Sequence, residues 1–378
     1  MSGRAVFARR PAPWRSRSAG RAWPDRSAST AIWLFFVAAV VVAMVVVGGA
    51  TRVTGSGLSI TRWDPIVGAL PPLSRGDWLK DFALYKATTQ YQMANRGMGL
   101  ADFQTLFWWE WAHRLLGRLI GIVFLAPLVA LLAFRRIPRR LIGRCVGLLF
   151  LGALQGLVGW WMVRGGLQGR IAVPPERLAA HLGMALILLG GLVWTGLEAW
   201  AGRRAGAPRP LDRWTWAAGL AAGLIFIQCL AGALVAGAKA GLIENDWPLM
   251  GGRLAPTDYW AGSAWATLVR GPASVQFHHR LLAYALVCLT IVVAAVALRR
   301  RFSDRRLRLG WSALALLACA QAGLGIMTLV SGVPLTLALA HQLNAIVLFC
   351  AAVGLVWMSR RSQRYNVTNA SKPLKTVA

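Results

Sequence analysis

The stretch Trp108-Trp109-Glu110-Trp111-Ala112-His113-Arg114-Leu115-Leu116-Gly117-Arg118-Leu119-Ile120-Gly121 sets a histidine near the start of a long apolar run that closes on Arg135 and Arg136. At about 1.5 Å of helical rise per residue, the interval from His113 to Arg135 is roughly one hydrocarbon thickness, so the run reads as a membrane-crossing helix with its imidazole near one face. The layout recurs from His181 to Arg203, from His279 to Arg299 and from His341 to Arg360. Four of the five histidines therefore share one depth, opposite the arginines.

Composition agrees with that reading. The chain has 378 residues, of which 57% are hydrophobic, too apolar for an ordinary soluble protein of this length. Eight apolar spans are predicted, at 32–50, 107–134, 142–162, 178–200, 214–236, 275–298, 309–331 and 337–358. The connections at 135–144, 203–213 and 299–308 hold 15 Arg, whereas those at 163–177, 237–273 and 331–336 hold 6 Arg or Lys. The positive-inside rule makes the first set cytoplasmic. Seven Arg before residue 27 put the N-terminus on the same side, and an even number of spans returns the C-terminus there. The expected location is the inner (plasma) membrane. Residues 1–31 are expected to form a disordered basic tail and not a cleavable signal, because the first apolar run is long enough to span.

The net charge of +29 invites a nucleic-acid reading, but the arginines are dispersed over loops where topology and anionic lipid account for them. No nucleic-acid partner is expected. Cys145, Cys229, Cys288, Cys319 and Cys350 all fall in or beside spans, and no CxxC or CxxCH occurs. They read as small core residues and not as a disulfide framework, a zinc site or a covalent heme attachment.

The chain repeats itself. His113-Arg-Leu-Leu-Gly matches His279-Arg-Leu-Leu-Ala, and Gln155 with Gly159 ahead of His181 matches Gln321 with Gly325 ahead of His341. Gly48-Gly49 through Gly57-Leu58 and Trp63 parallels Gly232-Ala233 through Gly241-Leu242 and Trp247 at a constant offset. The fold class is thus an all-α integral membrane protein whose eight transmembrane helices form two pseudo-symmetric four-helix bundles, related by an axis along the membrane normal. The domain boundaries are the tail 1–31, a first bundle 32–200 with an outer loop at 51–106, a cytoplasmic linker 201–213, a second bundle 214–358 and a tail 359–378.

A lone histidine in a helix is usually a hydrogen-bonded packing residue. Four at equivalent repeat positions point instead to paired axial ligands of heme iron, one pair per bundle: His113 with His181, and His279 with His341. His278 has no repeat partner and reads as a pocket-wall or surface residue. The pockets are not the same: Glu110 stands one helical turn before His113, while Gln276 holds the matching place before His279. Glu110 is the candidate for chemistry, in competition with an ion pair to Arg114 or Arg118. Glu198, the other acidic residue within the spans, can snorkel to the cytoplasmic arginines. The 51–106 loop is a candidate lid, and Arg52, Arg62, Arg96, Arg114 and Arg280 are candidate contacts for heme propionates. Gly55-Ser56-Gly57 lacks the third glycine and the strand context of a dinucleotide loop.

The residues Tyr91-Gln92-Met93-Ala94-Asn95-Arg96-Gly97-Met98, the Trp108 to Arg114 stretch and Asn245-Asp246-Trp247-Pro248-Leu249-Met250-Gly251-Gly252 resemble those of the heme A synthase family over about 32–358. The resemblance implies oxidation of the C8 methyl of heme O to the formyl of heme A, for terminal cytochrome oxidases. It implies a resident heme b on His279 and His341, the substrate heme between His113 and His181, and Glu110 as the essential acid. A heme O synthase and an electron donor are implied partners, and a homo-oligomer is compatible with the sequence. The chain lacks the cysteine pair that one branch of the family carries in the first outer loop, and resembles the proteobacterial and mitochondrial branch.

The residues leave open whether the methyl is oxidised through oxygen activation or through successive electron withdrawal followed by water attack. Two rival classes remain. A b-type di-heme electron-transfer protein would stack hemes near both faces, whereas these ligands share one depth. A heme or proton transporter would show broken helices and ionisable residues at the midplane.

Overall fold

The computed structural model describes residue 24 and residues 27–64, 67–202, 211–299 and 304–361. Eight helices in these residues are long and apolar enough to cross a membrane: α1 (Ala28–Val53), α4 (Leu100–Ala133), α5 (Ile142–Gly166), α6 (Pro175–Ala201), α7 (Arg213–Gly237), α9 (Pro272–Arg299), α10 (Arg305–Val330) and α11 (Leu335–Arg361). Three shorter helices, α2 (Arg75–Lys86), α3 (Thr89–Ala94) and α8 (Ala264–Val269), lie in the connections. Among the described residues the only β pairing is an isolated bridge between Met250 and Arg253. The protein is a multi-pass membrane protein. In lipid the backbone must satisfy its own polar groups, so long apolar runs become continuous helices.

Most helices outrun the spans read from hydropathy, because polar caps and amphipathic first turns extend them. Ser27 Oγ accepts from Thr30 N at 3.1 Å and starts α1 at Ala28, so the end of the expected tail is helical. Asp212 caps α7 through Thr215 N at 2.8 Å, within the expected linker. The tail and linker expectations otherwise fall on residues 1–23, 25–26, 203–210 and 362–378, outside the described residues.

The helices pack in two groups of four. α1 lies against α4 and α6, and α5 lies against α6 but only sparsely against α4. In the second group α7 and α10 each lie against both α9 and α11. The groups meet where α6 touches α7 and α11, and where α1 touches α11. One apolar core gathers Leu34, Val41, Leu141, Leu189 and Leu192, and the other gathers Ile225, Leu286, Trp311, Leu314 and Leu355.

α4 contains Pro127, which has no N–H for the carbonyl of Val123 one turn back. Trp33 Nε1 on α1 donates to that carbonyl at 3.1 Å, and its ring stands 4.9 Å from that of Phe124. At the repeat-equivalent position α9 carries Val293.

At the arginine-rich end Glu198 behaves differently from expectation. It is 2% exposed and draws the arginines inward, where snorkelling would carry it out to water. Arg140 Nη1 pairs with its carboxylate at 2.8 Å, Trp357 Nε1 donates at 3.1 Å, and Arg361 completes the cluster. Burial of an ionised group is tolerable only with such partners. The cysteines are all free, but Cys288 and Cys319 are exposed on outward helix faces, so only part of the set packs in a core.

The 51–106 connection is a folded cap. Phe82, Tyr85, Phe103 and Phe107 form an aromatic core with Trp78, Tyr91 and Met98 packed against it. Asn95 Nδ2 donates to the Tyr85 hydroxyl at 2.7 Å, which donates to Gln90 Oε1 at 3.1 Å, and Gln90 Nε2 donates to the Gly55 carbonyl at 2.9 Å. Burial pushes the Tyr85 phenol above its ordinary range, so it remains a donor.

Candidate functional site

His113, His181, His279 and His341 each lean on a glycine of the preceding spanning helix. A Cβ added at Gly48 would stand 2.9 Å from His113 Cε1, at Gly159 3.0 Å from His181 Cε1, at Gly232 3.2 Å from His279 Cε1, and at Gly325 2.8 Å from His341 Cε1. Real Cβ atoms rarely or never approach so closely, so the four glycines are cradles that set ring position. The His279 and His341 ring centroids are 6.5 Å apart. Imidazoles binding one metal from opposite sides at about 2 Å each put their ring centres roughly 6 Å apart, so this pair can hold a heme iron between them. His113 and His181 lie within electrostatic reach of each other in the first group. Buried His113 Nδ1 and His279 Nδ1 make no well-formed hydrogen bond, and the main-chain groups of Met44 and Gln228 are the acceptors nearest to the two rings. Among the described residues no three or more His, Cys, Asp or Glu side chains converge as a bare-metal site.

Glu110 is 3% exposed and sits at the seam between α4 and the outer cap. Its Oε1 accepts from Arg114 Nη2 at 2.7 Å and Nε at 3.1 Å. Its Oε2 accepts from Ser59 Oγ at 2.8 Å and Ile60 N at 2.9 Å. The ion pair with Arg114 is therefore present, and the carboxylate accepts from four donors. Arg114 also donates to the carbonyls of Ile60 at 2.8 Å and Arg62 at 2.9 Å.

The second group repeats this latch with different chemistry. Arg280 donates to the carbonyls of Glu244 at 2.9 Å and Leu249 at 2.7 Å, and Gln276 Nε2 donates to those of Ala240 and Glu244, each at 3.0 Å. Glu244 is the repeat counterpart of Ile60, at the same offset that relates Gly48 to Gly232. Where Glu110 accepts from a backbone N–H, Gln276 donates to a backbone C=O. The loop that Arg280 grips is shaped by the motif around Asp246, whose carboxylate accepts from Gly251 N at 2.9 Å and Gly252 N at 3.0 Å. Those N–H groups, Gly252 first, hold the Asp246 carboxyl below its usual range. Gly251 and Gly252 have φ of 59° and 74°, a region that favours glycine.

The propionate candidates separate. Arg114 has most of its five N–H donors committed, whereas Arg280 keeps a buried Nε without a partner. Arg52 also has an unpartnered buried Nε, and its Nη2 donates to the Gly237 carbonyl of the other group at 3.0 Å. Arg62 pairs with Asp81 at 3.1 Å on the surface, and Arg96 is exposed. His278 Nε2 lies 3.0 Å from the Tyr259 hydroxyl of the outer connection, an exposed contact.

Sequence reasoning paired Gln155 with Gln321 but assigned them no work, and overlooked Gln228. All three donate from Nε2 to the main-chain carbonyl of the nearby histidine: Gln155 to His181 at 3.1 Å, Gln228 to His279 at 3.1 Å and Gln321 to His341 at 3.0 Å. Each stands one helical turn before its cradle glycine. That spacing was a readable signal.

Fold and site together define a helical membrane protein whose described residues hold eight helices long enough to span, with a glycine-cradled histidine pair in each group of four. The chain belongs to the COX15-CtaA family, cytochrome oxidase assembly protein, whose model matches residues 31–353. It is 52% identical over 339 residues to the heme A synthase of Caulobacter sp. (strain K31), covering 89% of this chain and 98% of that protein. It is 51% identical over 339 residues to the heme A synthase of Caulobacter vibrioides, with the same coverage. The heme A synthase of Maricaulis maris is 47% identical over 341 residues, covering 89% of this chain and 98% of its own.

Proposed function

We propose that the protein is a heme A synthase, oxidising the C8 methyl of heme O to a formyl group. The observation that carries this is the unequal duplication: two cradled histidine pairs, with a carboxylate, Glu110, in the first latch and an amide, Gln276, in the second. The first bundle, 32–200, is the substrate half and the second, 214–358, holds a resident heme b. Sparse packing of α4 on α5 supports that division, because a substrate must enter and leave.

His279 and His341 hold the resident heme, with Arg280 Nε facing a propionate. A heme held by two histidines supplies one-electron transfer when bound. His113 and His181 hold the substrate porphyrin in register with Glu110. Forming a formyl from a methyl takes one oxygen atom and releases protons and electrons. Glu110, held by Arg114, Ser59 and the Ile60 N–H, stabilises positive charge developing at the methyl carbon and passes protons towards the outer cap. Arg114 orients Glu110 and ties it to the 51–64 segment.

The protein lies in the inner membrane with both termini cytoplasmic, receives heme O from a heme O synthase and exchanges electrons with a separate redox partner. Extraction of pigments from the purified membrane protein supplied with heme O tests the function. Heme A together with heme b is expected. Heme b alone would favour a b-type electron carrier instead.

A further inference from the structure

The four histidine cradles follow one pattern with one exception. One helical turn before each cradle glycine stands Gln155, Gln228 or Gln321, but before Gly48 the residue is Met44, the repeat counterpart of Gln228. The three amides tie the main-chain carbonyls of His181, His279 and His341 to the adjacent helix at 3.0 to 3.1 Å. They also reach the rings: Gln155 Nε2 is 3.2 Å from His181 Nδ1, Gln321 Nε2 is 3.1 Å from His341 Nδ1, and Gln228 Nε2 is 3.4 Å from His279 Nε2. Gln321 is itself fixed by Asn344 Nδ2, which donates to its Oε1 at 2.8 Å. Met44 offers no side-chain donor, and only its main chain partners the His113 ring, as the main chains of Gln228 and Gln321 partner His279 and His341. Its methyl instead lies 3.3 Å from where a Cβ on Gly117 would stand, and the second group has Ala283 at the place of Gly117.

We infer that Gln155, Gln228 and Gln321 are positioning residues that clamp three of the four heme ligands, and that Met44 leaves His113 without this amide clamp, making it the ligand that yields at the substrate iron. An amide bound to the ligand's own helix and lying along its ring limits the swing that would lift the imidazole from the metal. A thioether on a flexible chain fills the same volume without that restraint. The asymmetry suits the work: a resident heme needs two fixed ligands, while a substrate iron must be bound, presented and released. This inference rests on the first bundle being the substrate half.

The test is carbon monoxide binding to the ferrous protein in lipid nanodiscs, with resident heme in place and with or without added heme O. In the parent, heme O in the first pocket should bind CO and the resident heme should exclude it. Met44→Gln supplies the missing clamp and should weaken CO binding at heme O about tenfold or more, in line with the effect of outer-shell partners on metal sites. Gln228→Met removes a clamp and should give the resident heme a CO difference spectrum. CO affinity in Met44→Gln within threefold of the parent, or a resident heme in Gln228→Met that still excludes CO, overturns the inference. If heme O bound in the parent's first pocket excludes CO, His113 does not yield and the inference fails; if heme O does not bind there at all, the substrate-half reading fails instead, and Gln228→Met alone still decides the clamp. The same variant decides it if Met44→Gln does not assemble.

Discussion

At Glu110 a single atom type separates the two pockets. A carboxylate there accepts from Arg114, Ser59 and Ile60, and an amide cannot accept from all of them. In Glu110→Gln the amide nitrogen would confront a backbone or guanidinium donor, at a stability cost of about 1–3 kcal/mol. The variant is expected to insert and keep heme b but to form little or no heme A, with heme O or a hydroxylated intermediate accumulating. Chromatography of extracted hemes at matched protein level checks it, and wild-type heme A yield would remove Glu110 from the chemistry. The histidines make a second prediction at this scale. His341→Ala should deplete the low-spin resident heme or turn it high-spin, whereas His181→Ala should leave that heme and impair heme O conversion. An unchanged heme b spectrum in His341→Ala would refute its role as a ligand.

Among the elements α4 is the most unusual, because Pro127 interrupts it and α1 repairs the break. The Val123 carbonyl freed by Pro127 is satisfied by Trp33 Nε1, so Trp33→Phe leaves a part-buried acceptor in a membrane-spanning helix unpaired. A loss of about 1–3 kcal/mol is expected, measured by thermal or denaturant unfolding in detergent. In Pro127→Ala the helix supplies its own N–H to Val123, so the same Trp33→Phe change should cost clearly less there. Equal costs in both backgrounds would mean that ring packing on Phe124, and not the hydrogen bond, explains Trp33.

For the whole molecule, contacts between the groups join the two sites. Gln342 Nε2, next to His341, donates to the Val45 carbonyl of α1 at 2.9 Å, and its side chain leaves no room for a Cβ on Gly49. Orientation in the membrane is the prediction at this scale. In a cysteine-free background, Arg75→Cys should react with an impermeant thiol reagent in intact cells and Arg204→Cys should not. The motivation is the 15 to 6 basic asymmetry between the two sets of connections. Labelling at 204 alone would invert the topology.

Span number, helical class and the histidine positions were legible because hydrocarbon thickness and backbone self-satisfaction impose a pattern that a single residue string must display. The repeat was legible because duplicated chemistry leaves residues at a constant offset, such as Gly48 with Gly232 and Ile60 with Glu244. Partner choice was not. Whether Glu110 meets Arg114 or Arg118, whether Glu198 reaches water or buries itself among Arg140, Trp357 and Arg361, and which carbonyl Trp33 satisfies all depend on distances between segments far apart in the chain. Local pattern states which side chains carry donors and acceptors. Only the packing of helices decides which donor meets which acceptor, because a buried polar group takes whatever partner the neighbouring backbone brings within about 3 Å.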